Sequence, residues 1–411
     1  MTDFQLVAIV LSLTAALAYV NAKLVRLPAS VGLTAIALLC SLSLLALSQL
    51  GVDVSRVQAL VGDLHFSDTV LHGMLGVLLF AGALHLDVAG LGADKLAVAA
   101  LALGGTALST LLIGGGVALV LSVLGVASPT IRTIDAFLFG ALISPTDPIA
   151  VLAMLKAAAA PRQLETRIAG ESLFNDAIGV VVFSSVLAIA SGREVDAAGV
   201  ALMFVREALG GAAFGLVTGV LGYQLLRTID DYTVEVLITL ALAIGGYAAA
   251  EALHVSAPLA AIVSGLVIGH RGPRVMSDRT QRYIDAFWQL VDEVLTAVLF
   301  MMIGVTVLVL PFHRGMPWAV LLAIPIALAA RWISVAVPLF AFGRFRQATP
   351  HSTALLTWGG LRGGLSIAMA LSLPASDGRD VILGMTYAVV AFSILVQGTT
   401  FGPLVRRLIR G

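Results

Sequence analysis

Apolar runs long enough to span a bilayer dominate the pattern of this chain. Taking about 17 to 25 residues as one span, it predicts helices at 4–20, 29–50, 69–86, 95–126, 131–156, 166–191, 199–226, 233–252, 254–270, 285–311, 318–341, 351–373 and 380–405, thirteen in all. The ninth run is short, and the first turns of the tenth carry Asp285, Asp292 and Glu293. No Lys or Arg precedes Lys23 and no small-residue cleavage site follows the first run, so a retained helix is expected there rather than a secretory leader.

Two runs are interrupted. The fifth holds Ser144-Pro145-Thr146-Asp147-Pro148, a carboxylate between two prolines. Proline lacks an N–H and clashes with the carbonyl four residues back, so Pro145 should free the carbonyl of Ala141, and Pro148 that of Ser144. Such groups are tolerated at membrane depth only where protein buries them or a watery cavity lies beside them. The twelfth run holds Thr357-Trp358-Gly359-Gly360-Leu361-Arg362-Gly363-Gly364, in which Gly359, Gly360, Gly363 and Gly364 flank an arginine. Glycine costs about 1 kcal/mol against alanine in a helix, so this cluster reads as a second unwound or closely packed point. One break in each half of the chain is the pattern of an inverted-repeat secondary transporter with its site near the midplane. Crossing two such helices would bring like dipole ends together, which the charged side chains could compensate.

The sixth run opens with Gly170-Glu171-Ser172-Leu173-Phe174-Asn175-Asp176. Glu171 and Asn175 are four apart, as are Ser172 and Asp176, so the four polar groups share one helix face. An ionisable residue in an apolar span is by default a functional candidate. Asp176, Ser172, Asp147 and the carbonyls around Thr146 supply oxygen ligands without His or Cys, which suits a hard cation such as Na⁺ or Li⁺ rather than a transition metal. Desolvation limits the negative charge an empty site can hold, so a proton and a cation should compete for Asp176. Glu171, Arg331 and Arg362 need partners, because an unpaired charge at a helix centre costs roughly 2.5 kcal/mol or more. Arg331 is the first choice for Glu171 and Arg362 the second.

Composition agrees with the pattern: 59% of the 411 residues are hydrophobic, 12% are charged, and the mean hydropathy is +1.02. With the N-terminus outside, alternating thirteen helices puts 16 of the 24 Lys and Arg on the cytoplasmic side and 6 on the other, with Arg331 and Arg362 inside helices. That is the positive-inside bias. Cys40 is the one cysteine, so neither an intrachain disulfide nor a thiolate metal cluster is expected. Zero net charge with dispersed basic residues gives no nucleic-acid footprint. After Val405 only a basic stub remains, and no soluble regulatory domain is expected. His65, His72, His85, His254, His270, His313 and His351 lie mostly near helix ends; Asp230, Asp231 and Glu235 read as solvated or helix-N-terminal charges, and Phe300 to Gly304 as core. Asp285, Asp292 and Glu293 could line a cytoplasmic funnel.

The Ser-Pro-Thr-Asp-Pro break, the Glu-Ser-Leu-Phe-Asn-Asp segment, Arg331 and the Gly-Gly-Leu-Arg-Gly-Gly segment together resemble the NhaP-like sodium/proton antiporters of the monovalent cation:proton antiporter-1 family, across most of the chain. The resemblance implies an all-α fold of thirteen transmembrane helices, a homodimer, elevator-type alternating access and Na⁺ or Li⁺ exchange for H⁺. It implies a cation held by Asp147, Thr146, Ser172 and Asp176, with Asn175 stabilising the site and Glu171 paired to arginine. It divides the chain into dimerisation helices (1–94), core helices (95–192), scaffold and linker helices (193–316) and further core helices (317–411). Asn175 in place of a second aspartate resembles the electroneutral branch. No cofactor is expected beyond the transported ions, and the implied location is a bacterial inner membrane with the C-terminus cytoplasmic. Several relatives carry a glutamate in the third-helix segment that here reads Leu78-Leu79-Phe80-Ala81-Gly82; Ala81 offers no side-chain oxygen, which leaves K⁺/H⁺ exchange open as an alternative. A cation channel without proton coupling is the other alternative. An intramembrane aspartyl protease would use two aspartates sharing a proton, but no Gly-x-Gly-Asp stretch surrounds Asp147 or Asp176.

Overall fold

A computed structural model of the chain describes residues 2–87, 95–123, 132–157, 160, 162–192, 197–310, 317–341 and 351–410. Among those residues the structure is helical, with no strand. His313 and the loop arginines 193, 314, 344 and 346 lie outside the described residues. Ten helices are long and apolar enough to cross a bilayer: Asp3–Val25, Ala29–Gln49, Ser55–Leu84, Val98–Val123, Leu164–Ala190, Ala201–Leu226, Tyr232–Ala252, Asp278–Val309, Ala319–Ala341 and Gly378–Leu408. These are the first to fourth, sixth to eighth, tenth, eleventh and thirteenth helices. The ninth is Ala257–Arg271. The fifth is Thr133–Ile143 followed by Ile149–Ala157, and the twelfth is Ser352–Trp358 followed by Gly364–Leu371. Each of the thirteen expected runs is occupied by helix, and both breaks fall where the prolines and glycines predict them.

Helix starts follow local capping chemistry. The Ser256, Ser277 and Ser376 side chains each accept from a backbone N–H three residues on, opening the ninth, tenth and thirteenth helices. The tenth helix therefore begins at Asp278 rather than at 285, since polarity in its first turns does not oppose a capped, amphipathic start. The third span also begins early. The short helix Ser55–Gly62 precedes a left-handed His65 (φ 41°) and the chain then resumes at Phe66. Arg56, Asp63 and Asp68 break the apolar run there, while Gln58 Nε2 donates to the Leu308 carbonyl at 3.0 Å and ties the segment down.

The fourth helix packs on the first half of the fifth and on the eleventh, the sixth on the fifth, and the thirteenth on the eleventh and on the second half of the twelfth. The second helix packs on the tenth, and the ninth on both the third and the seventh. Outward faces are apolar, with Phe4 82% and Phe340 79% exposed, as a lipid-facing surface requires. Inward, Trp288 is fully buried, packs against Phe80 with ring centroids 4.9 Å apart and tilted by 46°, and donates its indole N–H to Thr239 Oγ1 at 3.0 Å. Phe300 to Gly304 is core as expected, with Thr34 Oγ1 donating to the Phe300 carbonyl at 3.0 Å. Glu235 is not a solvated charge. It is 0% exposed, one turn before Thr239, and both its carboxyl oxygens lack a partner.

The seventh and ninth helices meet along Gly211, Gly215 and Gly219, a small-residue stripe that lets backbones approach closely. A Cβ at Gly215 would overlap the Ala260 backbone, with Ala260 Cα at 2.8 Å, whereas one at Gly245 would meet nothing within 4 Å. Gly215→Ala should destabilise the protein by about 1–3 kcal/mol, read as a lower melting temperature in detergent. Gly245→Ala should not lower it, and equal melting of both variants would refute the close approach.

Candidate functional site

The two breaks cross and bond to one another. Asp147 N donates to the Leu361 carbonyl at 2.7 Å, joining the middle of the fifth helix to the middle of the twelfth. The extended segment between Ile143 and Ile149 is then held from every side. Asp147 Oδ1 accepts from Ile149 N at 2.9 Å and so caps the second half-helix. Ser144 Oγ donates to the Gly140 carbonyl at 2.7 Å and pairs with Thr110 Oγ1 at 3.1 Å. Arg362 Nη1 donates to the Ser144 carbonyl and, at 2.9 Å, to the Pro145 carbonyl. The carbonyl that Pro148 was expected to free is therefore taken by an arginine from the opposing break. Two glycines permit the approach: a Cβ at Gly179 would overlap the Pro145 ring, and one at Gly363 would come within 2.6 Å of Asp147 Oδ2. Gly360 faces Arg331 Nε at 2.6 Å in the same sense, and Gly359 and Gly364 pack on Phe401 and Leu299.

The sixth helix supplies the rest. Asn175 Oδ1 accepts from Thr146 N at 3.1 Å, while Asn175 Nδ2 donates to Thr146 Oγ1 and to Glu171 Oε1, each at 2.8 Å. Ser172 Oγ lies 3.1 Å from Thr146 Oγ1. Glu171 receives a bidentate pair from Arg331, Nη1 to Oε1 and Nη2 to Oε2, both at 3.0 Å. Glu171, Ser172, Asn175, Thr146, Arg331 and Arg362 are all buried.

Asp147 and Asp176 differ from these neighbours. Both are half-buried. Asp176 shares a stripe with Ser172 and makes no hydrogen bond or ion pair to another described residue; the charges around it are Asp147, Glu171 and Arg362. The arrangement therefore presents two carboxylates without a cationic contact, two hydroxyls and one amide at the crossing of two broken helices. Of the two sixth-helix carboxylates, Asp176 is the uncommitted one, because Glu171 is already held by Arg331.

The structure brings together every residue singled out in the fifth, sixth, eleventh and twelfth helices, and it selects Arg331 over Arg362 as the partner of Glu171. Three features escaped the sequence. Arg362 serves backbone carbonyls rather than a carboxylate. Ser393 Oγ accepts from Arg362 N at 2.8 Å and donates to Gln397 Oε1 at 2.8 Å, while Gln397 Nε2 donates to the Trp358 carbonyl at 3.1 Å, so the thirteenth helix braces the second break. Two polar residues four apart in an apolar run were the available signal. Asp292, alone of the four acidic residues on the tenth helix, is half-buried with Asp147, His85 and Lys156 in electrostatic range, whereas Asp278, Asp285 and Glu293 are exposed. Ala81 is buried in the third helix, and its carbonyl contacts His85 Nδ1 at 2.9 Å.

Comparison with known proteins places these residues in a family. The family model described as sodium/hydrogen exchanger, transmembrane, matches residues 9–407. The protein named Na(+)/H(+) antiporter NhaP of Pseudomonas aeruginosa is 46% identical, over 99% of this chain and 97% of its own. The protein named Na(+)/H(+) antiporter NhaH of Halobacillus aidingensis is 35% identical, over 94% and 93%. The structure of the sodium proton antiporter MjNhaP1 from Methanocaldococcus jannaschii at pH 8 superposes with a TM-score of 0.76 over 98% of both chains at 18% identity, which establishes a shared fold.

Removing one partner of a buried ion pair strands the other charge at a cost of about 3–5 kcal/mol. Arg331→Met should therefore lower the melting temperature more than Glu171→Gln combined with Arg331→Met. A double variant that melts no higher than Arg331→Met would show that the pair is not the source of the loss.

Proposed function

Because the chain belongs to the sodium/hydrogen exchanger family, and so is a multi-pass membrane transporter rather than an enzyme, we propose that it exchanges Na⁺ or Li⁺ for H⁺ at Asp176 and Asp147. The observation that carries this is the state of the carboxylates. Glu171 is neutralised by a bidentate arginine, while Asp176 is half-buried and without a partner. Thr146 and Ser172 add hydroxyl oxygens, and Asn175 fixes Thr146 through both its backbone and its side chain.

Charge counting supports a one-for-one exchange. Asp147, Asp176 and Glu171 face Arg331 and Arg362, which leaves a single negative charge in excess. One Na⁺ or one H⁺ cancels it, and either loaded form can move through a low-dielectric environment without carrying net charge. A second cation in the same step would restore the cost of a buried charge.

The packing supports a division of labour. The fourth, fifth, sixth, eleventh, twelfth and thirteenth helices pack on one another and hold both breaks, while the second, third, seventh, ninth and tenth pack among themselves. Movement of the first group against the second, with the second group forming a homodimer contact, is the elevator form of alternating access. With thirteen spans the basic bias puts the N-terminus outside and the C-terminus in the cytoplasm of a bacterial inner membrane.

In inverted membrane vesicles, adding Na⁺ or Li⁺ should discharge a proton gradient reported by a pH-sensitive dye, and Asp176→Asn should abolish the signal. Discharge by K⁺ instead would transfer the site to K⁺/H⁺ exchange, as Ala81 allows. Cation flux without proton movement would mark a channel and overturn the exchanger reading. In proteoliposomes the exchange rate should not respond to an imposed membrane voltage; a voltage response would overturn the one-for-one count.

A further inference from the structure

Beside Arg331, the partner of Glu171, lies a small cavity of about 10 Å³ whose lining includes Arg331, Thr357, Gly360, Arg362 and Gln397 among apolar side chains. Three buried polar atoms of these lining residues have no hydrogen-bond partner among the described residues: Arg331 Nε, Arg362 Nη2 and Thr357 Oγ1. Both guanidiniums are almost inaccessible, at 5% and 3% exposure. A buried donor left unmet costs about 1–3 kcal/mol, and more when it is charged. Two such donors beside one hydroxyl need an acceptor between them.

The chemistry of the wall narrows the occupant. Two cationic N–H groups exclude a metal ion. The volume is about what one water requires, and a buried water commonly makes two to four hydrogen bonds. An anion would also accept from both arginines, but it would add a second negative charge to a set of five ionisable groups that one transported cation or proton already balances. Gln397 Oε1 already accepts from Ser393. We infer that a single water molecule occupies this cavity, accepting from Arg331 Nε and Arg362 Nη2 and donating to Thr357 Oγ1, and that Thr357 thereby positions both arginines for transport.

The consequence follows from what each arginine holds. Arg331 clamps Glu171, which holds Asn175, which holds Thr146. Arg362 holds the carbonyls of Ser144 and Pro145. A water between the two guanidiniums links both sides of the site from behind. Gly360 keeps the space open, since a Cβ there would press on Arg331 Nε. Thr357 also borders the larger groove of about 830 Å³ between Trp332, Trp358 and Arg407, through which water could reach the cavity. The positioning role rests on the exchange reading; the water itself does not.

The test has a structural and a functional arm. A density map showing ordered water should contain one peak within hydrogen-bond distance of all three atoms, and a bromide-soaked crystal should show no anomalous signal there. An empty cavity, or a bromide peak, would overturn the assignment. Thr357→Val keeps the shape and removes the hydroxyl, so its apparent KM for Na⁺ should rise about 2- to 10-fold, the effect of one lost hydrogen bond, with the parent's melting temperature retained. Thr357→Ser should restore the parent KM. A Thr357→Val protein with the parent KM would overturn the positioning role. If the parent shows no cation-driven proton movement, the exchange reading fails while the density still decides on the water.

Discussion

Two backbone breaks inside apolar helices leave amides and carbonyls without intrahelical partners, and in hydrocarbon each such group is costly. Everything else at this site answers that constraint. Pairing the breaks with each other, through Asp147 N and the Leu361 carbonyl, satisfies one group from each and fixes the crossing. Further orphans draw partners from two other helices, through Asn175 and Ser393, and from Arg362 of the second break itself. A segment tied at that many points is positioned within a narrow range, so the oxygens of Thr146 and Asp147 are set in place by the fold itself. The glycines at 179 and 363 belong to the same answer, because a methyl at 179 would press the sixth helix off Pro145 and one at 363 would hold the two breaks apart.

The buried Glu171–Arg331 pair is better understood through what it removes than through what it stabilises. Desolvation cancels much of the attraction in such pairs, and a pair of apolar residues of similar volume often does as well. The bidentate bond nevertheless takes Glu171 out of competition for a proton or a cation. It also turns the carboxylate into an acceptor for Asn175. The negative charge left over then resides on Asp147 and Asp176 alone, the two acidic groups of the site that reach accessible space.

What the sequence shows and what it hides follow from distance along the chain. Pro145, Pro148 and the twelfth-helix glycines act through local backbone chemistry, so both breaks were legible. Glu171, Ser172, Asn175 and Asp176 were legible because a helix converts four-residue spacing into a shared face. Pairing Glu171 with Arg331 needed only the rule that buried charges find partners. The role of Arg362 was hidden, because its partners are carbonyls more than two hundred residues away and every residue has a carbonyl. Asp292 was hidden among three acidic neighbours that periodicity could not rank. Glu235 misled for the opposite reason: beside Asp230 and Asp231 it looks like a helix-start charge, and only the packing of Trp288 around Thr239 shows that this face is closed.

The hydroxyl pair at the centre can run in either hydrogen-bond direction, and the two directions leave different lone pairs free. Thr146 Oγ1 accepts from Asn175 Nδ2, which uses one of its two lone pairs. If Ser172 donated to it as well, no lone pair would remain for an ion. If Thr146 instead donates to Ser172, one lone pair stays free on each of the two hydroxyl oxygens. Each hydroxyl then has an oxygen lone pair free while Asp176 supplies the charge. Asn175 takes the other Thr146 lone pair in either case, which an ionised aspartate there, having no proton to donate, could not do. The amide at this position thus does two things at once: it places no charge beside Thr146, and it ties both the backbone and the hydroxyl of Thr146 to the sixth helix.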